Sequence, residues 1–262
     1  MAIFSVTDMA RIAPLYAPWP ECMPRATLDG CMGEAWANAA CTAAQVFVGG
    51  FSFLAGDAAC PEAAELAAHL PQSHAGGEYY IASHEPEWEP VIEGALGERA
   101  VRGWRYAIRK DIDHFDPEHL AQLAQALPEG YTLAAIDGYL YRMALANEWS
   151  RDLVSQFADE ADYLRRGIGM VALHAGELVA GASSYVVFRG GIEIEIDTRL
   201  DHRRRGLATA CGAALVQTCL ARGLYPSWDA YSTASVALAE KLGYVAAQPY
   251  VTYTVAGAPG QA

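Results

Sequence analysis

The chain lacks the cysteine pattern of a stapled or zinc-bound protein. Its six cysteines, at 22, 31, 41, 60, 211 and 219, are scattered and form no C-x-x-C pair. That spacing speaks against a disulfide scaffold, a zinc ribbon or a thioredoxin-like motif. The histidines include no H-E-x-x-H and join no Cys/His cluster, so no metal is expected. No uninterrupted apolar run approaches the ~20 residues of a membrane helix. The opening MAIFSVTDMARIAPLYAPWP has no basic head followed by an apolar stretch. The expectation is a cytoplasmic protein with reduced thiols and no membrane contact. Positive charge is also scarce, with 18 Lys+Arg against 31 Asp+Glu and a net charge of -13. A nucleic-acid partner would need a basic face, so that class is disfavoured. A small cationic substrate, drawn by negative potential, is compatible. No internal repeat or low-complexity tract stands out.

What is present is a 262-residue chain with 53% hydrophobic residues, enough for one large domain or two of moderate size. In the first half, AQVFVGGFSFLAGD predicts two strands around Gly49-Gly50. CPEAAELAAHL predicts a helix with Pro61 at its start. A strand EYYIAS, a helix PEWEPVIEGAL and a strand RAVRGWRYAIRKD follow. FDPEHLAQLAQAL predicts a helix capped by Asp116. The break at Pro128–Gly130 suggests a boundary, giving domains 1–128 and 129–262. Beyond it come a strand YTLAAID and a helical stretch from Asp137, interrupted near Asn147 and restarted by Ser150 as N-cap. A hairpin turning at Ala175-Gly176, a strand GIEIEIDTRL, a helix GLATACGAALVQTCLARG, a short strand LYPSWDA, a helix STASVALAEKLG and a final strand YVAAQPYVTYTV complete the reading. The fold class is α/β (α+β).

In so acidic a chain, three consecutive arginines between a strand and a helix ask for a reason. A helix start leaves backbone N–H groups unpaired, and with the helix dipole these make an anion site. Gly206 allows close backbone approach, Ala208 and Thr209 are small, and Arg203, Arg204 and Arg205 add positive charge. The pattern predicts a pyrophosphate site. Glu193, Glu195 and Asp197 alternate along the preceding strand and share its face.

Arg203-x-x-Gly206-x-Ala208 after an acidic strand resembles the acetyl-CoA signature of the GNAT acetyltransferases, Q/R-x-x-G-x-G/A. STASVALAEKLGY resembles that family's later helix, N-x-x-A-x-x-L-Y-x-K-x-G-F, and the element order after residue 130 agrees. GASSY, GIEIEIDT, RRGLA, GLYPSWDA and SVALAEKLGY are similar to the branch grouped with zwittermicin A resistance, whose members carry an extra N-terminal domain. The resemblance implies a C-terminal GNAT fold, a mixed twisted sheet flanked by helices, beside an N-terminal α/β domain. That first domain is open to three roles: binding the acceptor, forming a homodimer, or standing as a degenerate copy of the fold.

The activity implied is transfer of acetyl from acetyl-CoA to a primary amine of a small cationic compound. An aminoglycoside-like antibiotic of kasugamycin or zwittermicin type is the leading acceptor; polyamines, other metabolites, protein amines and a non-catalytic sensor module are the alternatives. An ammonium has a pKa near 10.4, so a general base is needed. Glu193 lies one residue from the family's usual base position; a bulge would repair the offset, and Glu195 is the other candidate. By the resemblance, Ile196, Asp197, Thr198, Arg203, Arg204, Arg205, Gly206, Leu207, Ala208, Thr209, Ser232 and Ser235 contact the cosubstrate. Backbone N–H groups of 194–199 would hold its arm and polarise the thioester. Ser184 and Tyr185, with Trp228 and Asp229 at a strand end, are assigned to the acceptor cleft. The family's usual acidic tyrosine falls at Ala239, so the general acid is unassigned. Lys241, Leu242, Gly243 and Tyr244 are read as packing and helix-ending residues.

Overall fold

The structure is a computed structural model that describes residues 2–74, 76–109 and 112–257. The end of the predicted strand at 110–111 and the tail 258–262 lie outside the described residues. The chain forms two compact units, residues 1–107 with 248–262, and residues 108–247.

The first unit contains β1 (Phe4–Ser5), α1 (Ala13–Tyr16), α2 (Met23–Leu28), β2 (Glu34–Ala37), β3 (Ala43–Val48), β4 (Phe51–Gly56), α3 (Ala63–Ala68), β5 (Tyr79–Ala82), α4 (Trp88–Leu96) and most of β6 (Ala100–Arg109). The β3–β4 hairpin turns where glycine allows it, with Gly49 at φ 60 and Gly50 at φ 75. Two left-handed residues in succession match the right-handed twist of the flanking strands. Strands β1 to β4 pair antiparallel in sequence order, then α3 crosses over and β5 pairs parallel to β4. Burial of Leu54, Leu66, Ile81, Trp88 and Ile92 joins the sheet to α3 and α4. The predicted helix start at Pro61 moves to Ala63.

The second unit holds α5 (Pro117–Gln125), β7 (Tyr131–Ala135), α6 (Gly138–Ala146), α7 (Glu160–Arg166), β8 (Gly169–His174), β9 (Glu177–Phe188), β10 (Gly191–Thr198), α8 (Leu207–Ala221), β11 (Tyr225–Ser227), β12 (Asp229–Ala230) and α9 (Thr233–Lys241). Strands β7 to β10 are antiparallel neighbours, and β11 is parallel to β10 across α8. Ser150 does not cap the resumed helix. Its hydroxyl donates to the Ala144 carbonyl at 2.9 Å, and α7 is capped by Asp159 instead.

Two findings revise the domain reading. The boundary expected at 128/129 falls inside the second unit, because α5 packs on α8 and Gln217 Nε2 reaches the Pro117 carbonyl at 3.4 Å. The last strand, β13 (Val245–Val255), leaves that unit: Thr252–Val255 pairs antiparallel with Tyr79–Ala82 of β5, and Tyr253 and Val255 complete the first core. In addition, the two halves of the chain repeat one element order. With α5 and the two-residue β12 set aside, the series β1-α1-α2-β2-β3-β4-α3-β5-α4-β6 corresponds to β7-α6-α7-β8-β9-β10-α8-β11-α9-β13, with the parallel crossover at the same place in each. The repeat is not visible in the residues themselves.

Candidate active site

Four helices of the second unit begin with a side-chain cap. Asp116, Asp137, Asp159 and Ser232 each accept a hydrogen bond from a first-turn backbone N–H of α5, α6, α7 and α9. Helix α8 has no such cap. Its N-cap is Gly206, and the first backbone bond of the helix runs from Ala210 N to the Gly206 carbonyl at 3.0 Å. The earlier N–H groups, of Leu207, Ala208 and Thr209, are thus left facing outward at the positive end of a 15-residue helix.

The loop before α8 is shaped around the same point. Arg204 has φ 61 and Gly206 φ 80, and left-handed residues turn successive N–H groups into an anion-receiving concavity. A β-carbon on Gly206 would meet nothing within 4 Å. Glycine is therefore required here by backbone conformation, not by lack of space. Arg203 Nε donates to the Thr198 carbonyl at 3.1 Å and Arg205 Nη2 to the Asp201 carbonyl at 3.4 Å, tying two arginines to the loop they decorate.

These parts line a cleft of about 630 Å³. From β10 it takes Ile196, Asp197 and Thr198; from the loop and α8, His202, Arg203, Arg204 and Gly206 to Thr209; from the far side, Trp228, Ser232, Ala234, Ser235, Leu238 and Lys241. Every residue that the sequence assigns to cosubstrate binding, except Arg205, lines it. Among the described residues the buried Thr198 hydroxyl oxygen has no hydrogen-bond partner. Asp197 accepts from the Thr198 N–H at 3.0 Å, and burial raises its carboxyl pKa above the usual value, against the pull of Arg203. Ser232 accepts from Ser235 N at 3.2 Å, and Ser235 Oγ accepts from Trp228 Nε1 at 3.2 Å.

Strand geometry opens the cleft. The parallel β10–β11 ladder runs only from Gly191↔Tyr225 to Glu193↔Ser227, after which the chain turns away at Trp228. On the other edge, the β10–β9 register shifts between Glu193 and Ile194, and Tyr185 of β9 is the extra residue. The anticipated bulge is therefore present, but its additional residue lies on β9, not on β10. Glu193 is 3% exposed, and Glu195 is half-buried further along β10. Neither lines the arginine cleft, which begins at Ile196.

The acceptor residues separate into groups. Ser184 is fully buried, and its hydroxyl accepts from Ile168 N at 2.9 Å and donates to the Ile168 carbonyl at 3.2 Å. It pins β9 to the start of β8 and does not line the cleft. Tyr185 and Asp229 are half-buried and also outside it. Trp228 is both core and wall, 4% exposed, edge-on to Tyr244 at 5.4 Å and lining the cleft. Ala239 is fully buried. Four cleft residues were missed in sequence, Ala234 and Leu238 of α9 among them. His202 stands immediately before the three arginines, and its place in DHRRR was the available signal. Lys241, read as packing, lines the cleft, while Leu242 and Tyr244 are core and Gly243 ends the helix at φ 98.

Comparisons with known proteins show the family. The sequence matches the GNAT acetyltransferase family over residues 13–253, across both units. It is 26% identical over 214 residues to the Bacillus subtilis (strain 168) protein YdfB, described as an uncharacterized N-acetyltransferase, covering 78% of this chain and 77% of that one. A GCN5-related N-acetyltransferase-like protein from Streptococcus suis 89/1591 is 38% identical, with a TM-score of 0.85 over 96% of this chain and 98% of that chain. A tandem GNAT protein from the clavulanic acid biosynthesis pathway shares the fold alone, at 13% identity and a TM-score of 0.58 over 99% of both chains. No helix among the described residues is long and apolar enough to cross a membrane. The chain belongs to the GNAT acetyltransferase family, whose members use acetyl-CoA as cosubstrate.

Proposed function

We propose that this enzyme moves acetyl from acetyl-CoA to a primary amine of a small cationic compound, with aminoglycoside-like antibiotics of the kasugamycin or zwittermicin type as the first acceptors to test. The observation that carries the reading is the open start of α8, with Arg203, Arg204 and Gly206 lining its cleft. The phosphates of the cosubstrate meet the N–H groups of 206–209 and the arginines. The thioester arm follows β10 past Thr198 toward the point where β11 departs, and backbone N–H groups of 194–199 polarise the carbonyl. The acceptor ammonium gives its proton to Glu193 or Glu195, directly or through one water. The freed amine attacks the carbonyl and the thiolate leaves. A thiol with pKa near 8.5 can depart without an acid, which fits the burial of Ala239 at the position the family gives to tyrosine.

The net charge of -13 supports a cationic acceptor, and it supports a polyamine equally. The first unit is proposed to be a degenerate copy of the fold that shapes acceptor choice. Its β4–α3 junction carries Asp57 and Glu62 and no arginine, and α3 has only six residues. The deciding experiment measures thiol release from acetyl-CoA with kasugamycin, other aminoglycosides, zwittermicin-like aminopolyols and polyamines, alongside Glu193→Gln and Glu195→Gln. Turnover with one antibiotic class, lost in one variant, establishes the acceptor and names the base. Stabilisation by CoA with no turnover on any amine overturns the reading.

A further inference from the structure

Helix α9 walls the cleft of the second unit between two fixed points. Near its start, Ser235 Oγ accepts from the indole N–H of Trp228 at 3.2 Å, beside the place where β11 parts from β10. At its end, a β-carbon on Gly212 would meet Leu242 Cδ1 at 2.8 Å, so that end lies against the flank of α8. The stretch from Ser235 to Leu242 covers about 10 Å of helix. Its end is also anchored through the backbone, because the Lys241 carbonyl accepts from His119 Nε2 of α5 at 2.9 Å.

Ala234, Leu238 and Lys241 line the cleft at successive spacings of four and three residues, so one face of α9 is turned to it and Lys241 ends that face. The Lys241 side chain is exposed, and among the described residues no carboxylate pairs with it. From α8, Thr209 lines the same cleft and shares a helix face with Gly212, where Leu242 packs. Thr209 and Lys241 thus stand on adjoining walls, at the end of α9 remote from Trp228. Acetyl-CoA carries a diphosphate and, separately, a phosphate on its ribose. With the diphosphate at the α8 start and the acyl arm along β10, the nucleoside end falls to the remaining wall, the last turns of α9. Lys241 is the cation on that wall, and a lysine ammonium meets a phosphate as a point charge.

We infer that Lys241, beside Thr209, reads the ribose phosphate of the cosubstrate and so separates acetyl-CoA from thioesters that lack it. The inference rests on the proposed seating of the diphosphate at the α8 start. Lys241 is a specificity determinant and stands away from the β10–β11 opening toward which the thioester points.

The test is isothermal titration calorimetry of the full chain with CoA and with 3′-dephospho-CoA, which differ by that phosphate alone. Wild type should bind CoA at least about tenfold more tightly than 3′-dephospho-CoA. In Lys241→Gln the CoA affinity should fall about tenfold, while the 3′-dephospho-CoA affinity stays at the wild-type value and reports a folded variant. Lys241→Arg should keep most of the preference. Equal affinity of wild type for the two ligands overturns the inference, as does an unchanged CoA affinity in Lys241→Gln. A loss shared by both ligands also overturns it, since the ammonium would then serve the diphosphate. Mass spectrometry after incubation with acetyl-CoA adds a check, because Lys241 is one of only two lysines in the chain. Its acetylation would place the amine at the thioester and overturn the inference. Wild type that binds neither ligand removes the phosphate site at α8 itself, and this inference with it.

Discussion

The Tyr131 hydroxyl lies 2.8 Å from His202 Nδ1, and both side chains are at least nine-tenths buried. On the far side of the ring, Arg199 Nη2 sits 2.8 Å from His202 Nε2. A guanidinium can only donate, so Nε2 accepts, and the neutral ring carries its proton on Nδ1 and donates to Tyr131. Arg199 also holds Glu177 and Asp201, each at 2.8 Å. A strand-start tyrosine is thus linked to the residue that leads directly into the arginine loop. The relay holds the side chain that stands immediately before the arginine loop.

Removing one end of the relay should therefore weaken cosubstrate binding more than chemistry. In Tyr131→Phe the His202 N–H loses its acceptor, at a cost of about 1 kcal/mol. The expected result is a KM for acetyl-CoA raised about fivefold with kcat nearly unchanged, measured by steady-state kinetics. A fall in kcat with KM unchanged would contradict a positioning role.

The same ring gives a pH dependence with a definite sign. Burial is the main cause that lowers the His202 pKa; Arg199, Arg205 and His174 lower it further, and Asp201 opposes them. The unfolded chain, with a histidine pKa near 6.5, then binds more protons than the folded one. The stability that depends on neutral His202 is complete above about pH 6.5 and is lost as pH falls below it. Chemical denaturation at pH 7.5 and pH 5.5 should show a smaller loss for His202→Gln than for the wild type. An identical loss in both would remove His202 as the cause.

Much of the second unit could be read from local signals, and the reasons are physical. Asp116 caps a helix as expected, because capping is decided within four residues. The Gly49-Gly50 turn and the arginine loop are equally local. What the sequence hid is non-local. Ser184 sits in a strand with the alternation of a lining residue, yet its hydroxyl is bracketed by Ile168, a residue 16 positions away. The departure of β13 to pair with β5 depends on a partner far earlier in the chain, and strand periodicity carries no address. The register shift at Glu193 is signalled by no glycine. Helices α1 and α2 are too short, at four and six residues, to show a period.

Two neighbours in the loop share a left-handed backbone and should respond oppositely to substitution. Gly206, at φ 80, has open space around a would-be β-carbon, so Gly206→Ala meets strain and not collision, costing about 1–2 kcal/mol. Arg204, at φ 61, already bears that strain. Arg204→Gly relieves it, offsetting the entropy of glycine, and stability should stay within about 1 kcal/mol of wild type. Both variants should raise the KM for acetyl-CoA. Only Arg204→Gly should also flatten its dependence on salt, since it alone removes a charge. Melting curves and KM at two ionic strengths separate the cases.

Restoring the family's tyrosine is the sharpest test of how the thiolate leaves. Ala239 is fully buried on α9. A phenol ring forced into that space must displace its neighbours, at a cost of about 1–3 kcal/mol or more. For a protein of this size the melting temperature should fall by at least about 2 °C. Because the wild-type site offers no space for a ring there, the departing sulfur should not depend on an acid at this position, and kcat should not rise in Ala239→Tyr. A variant that kept its melting temperature and gained kcat would show that this position can reach the sulfur and that protonation limits the native enzyme.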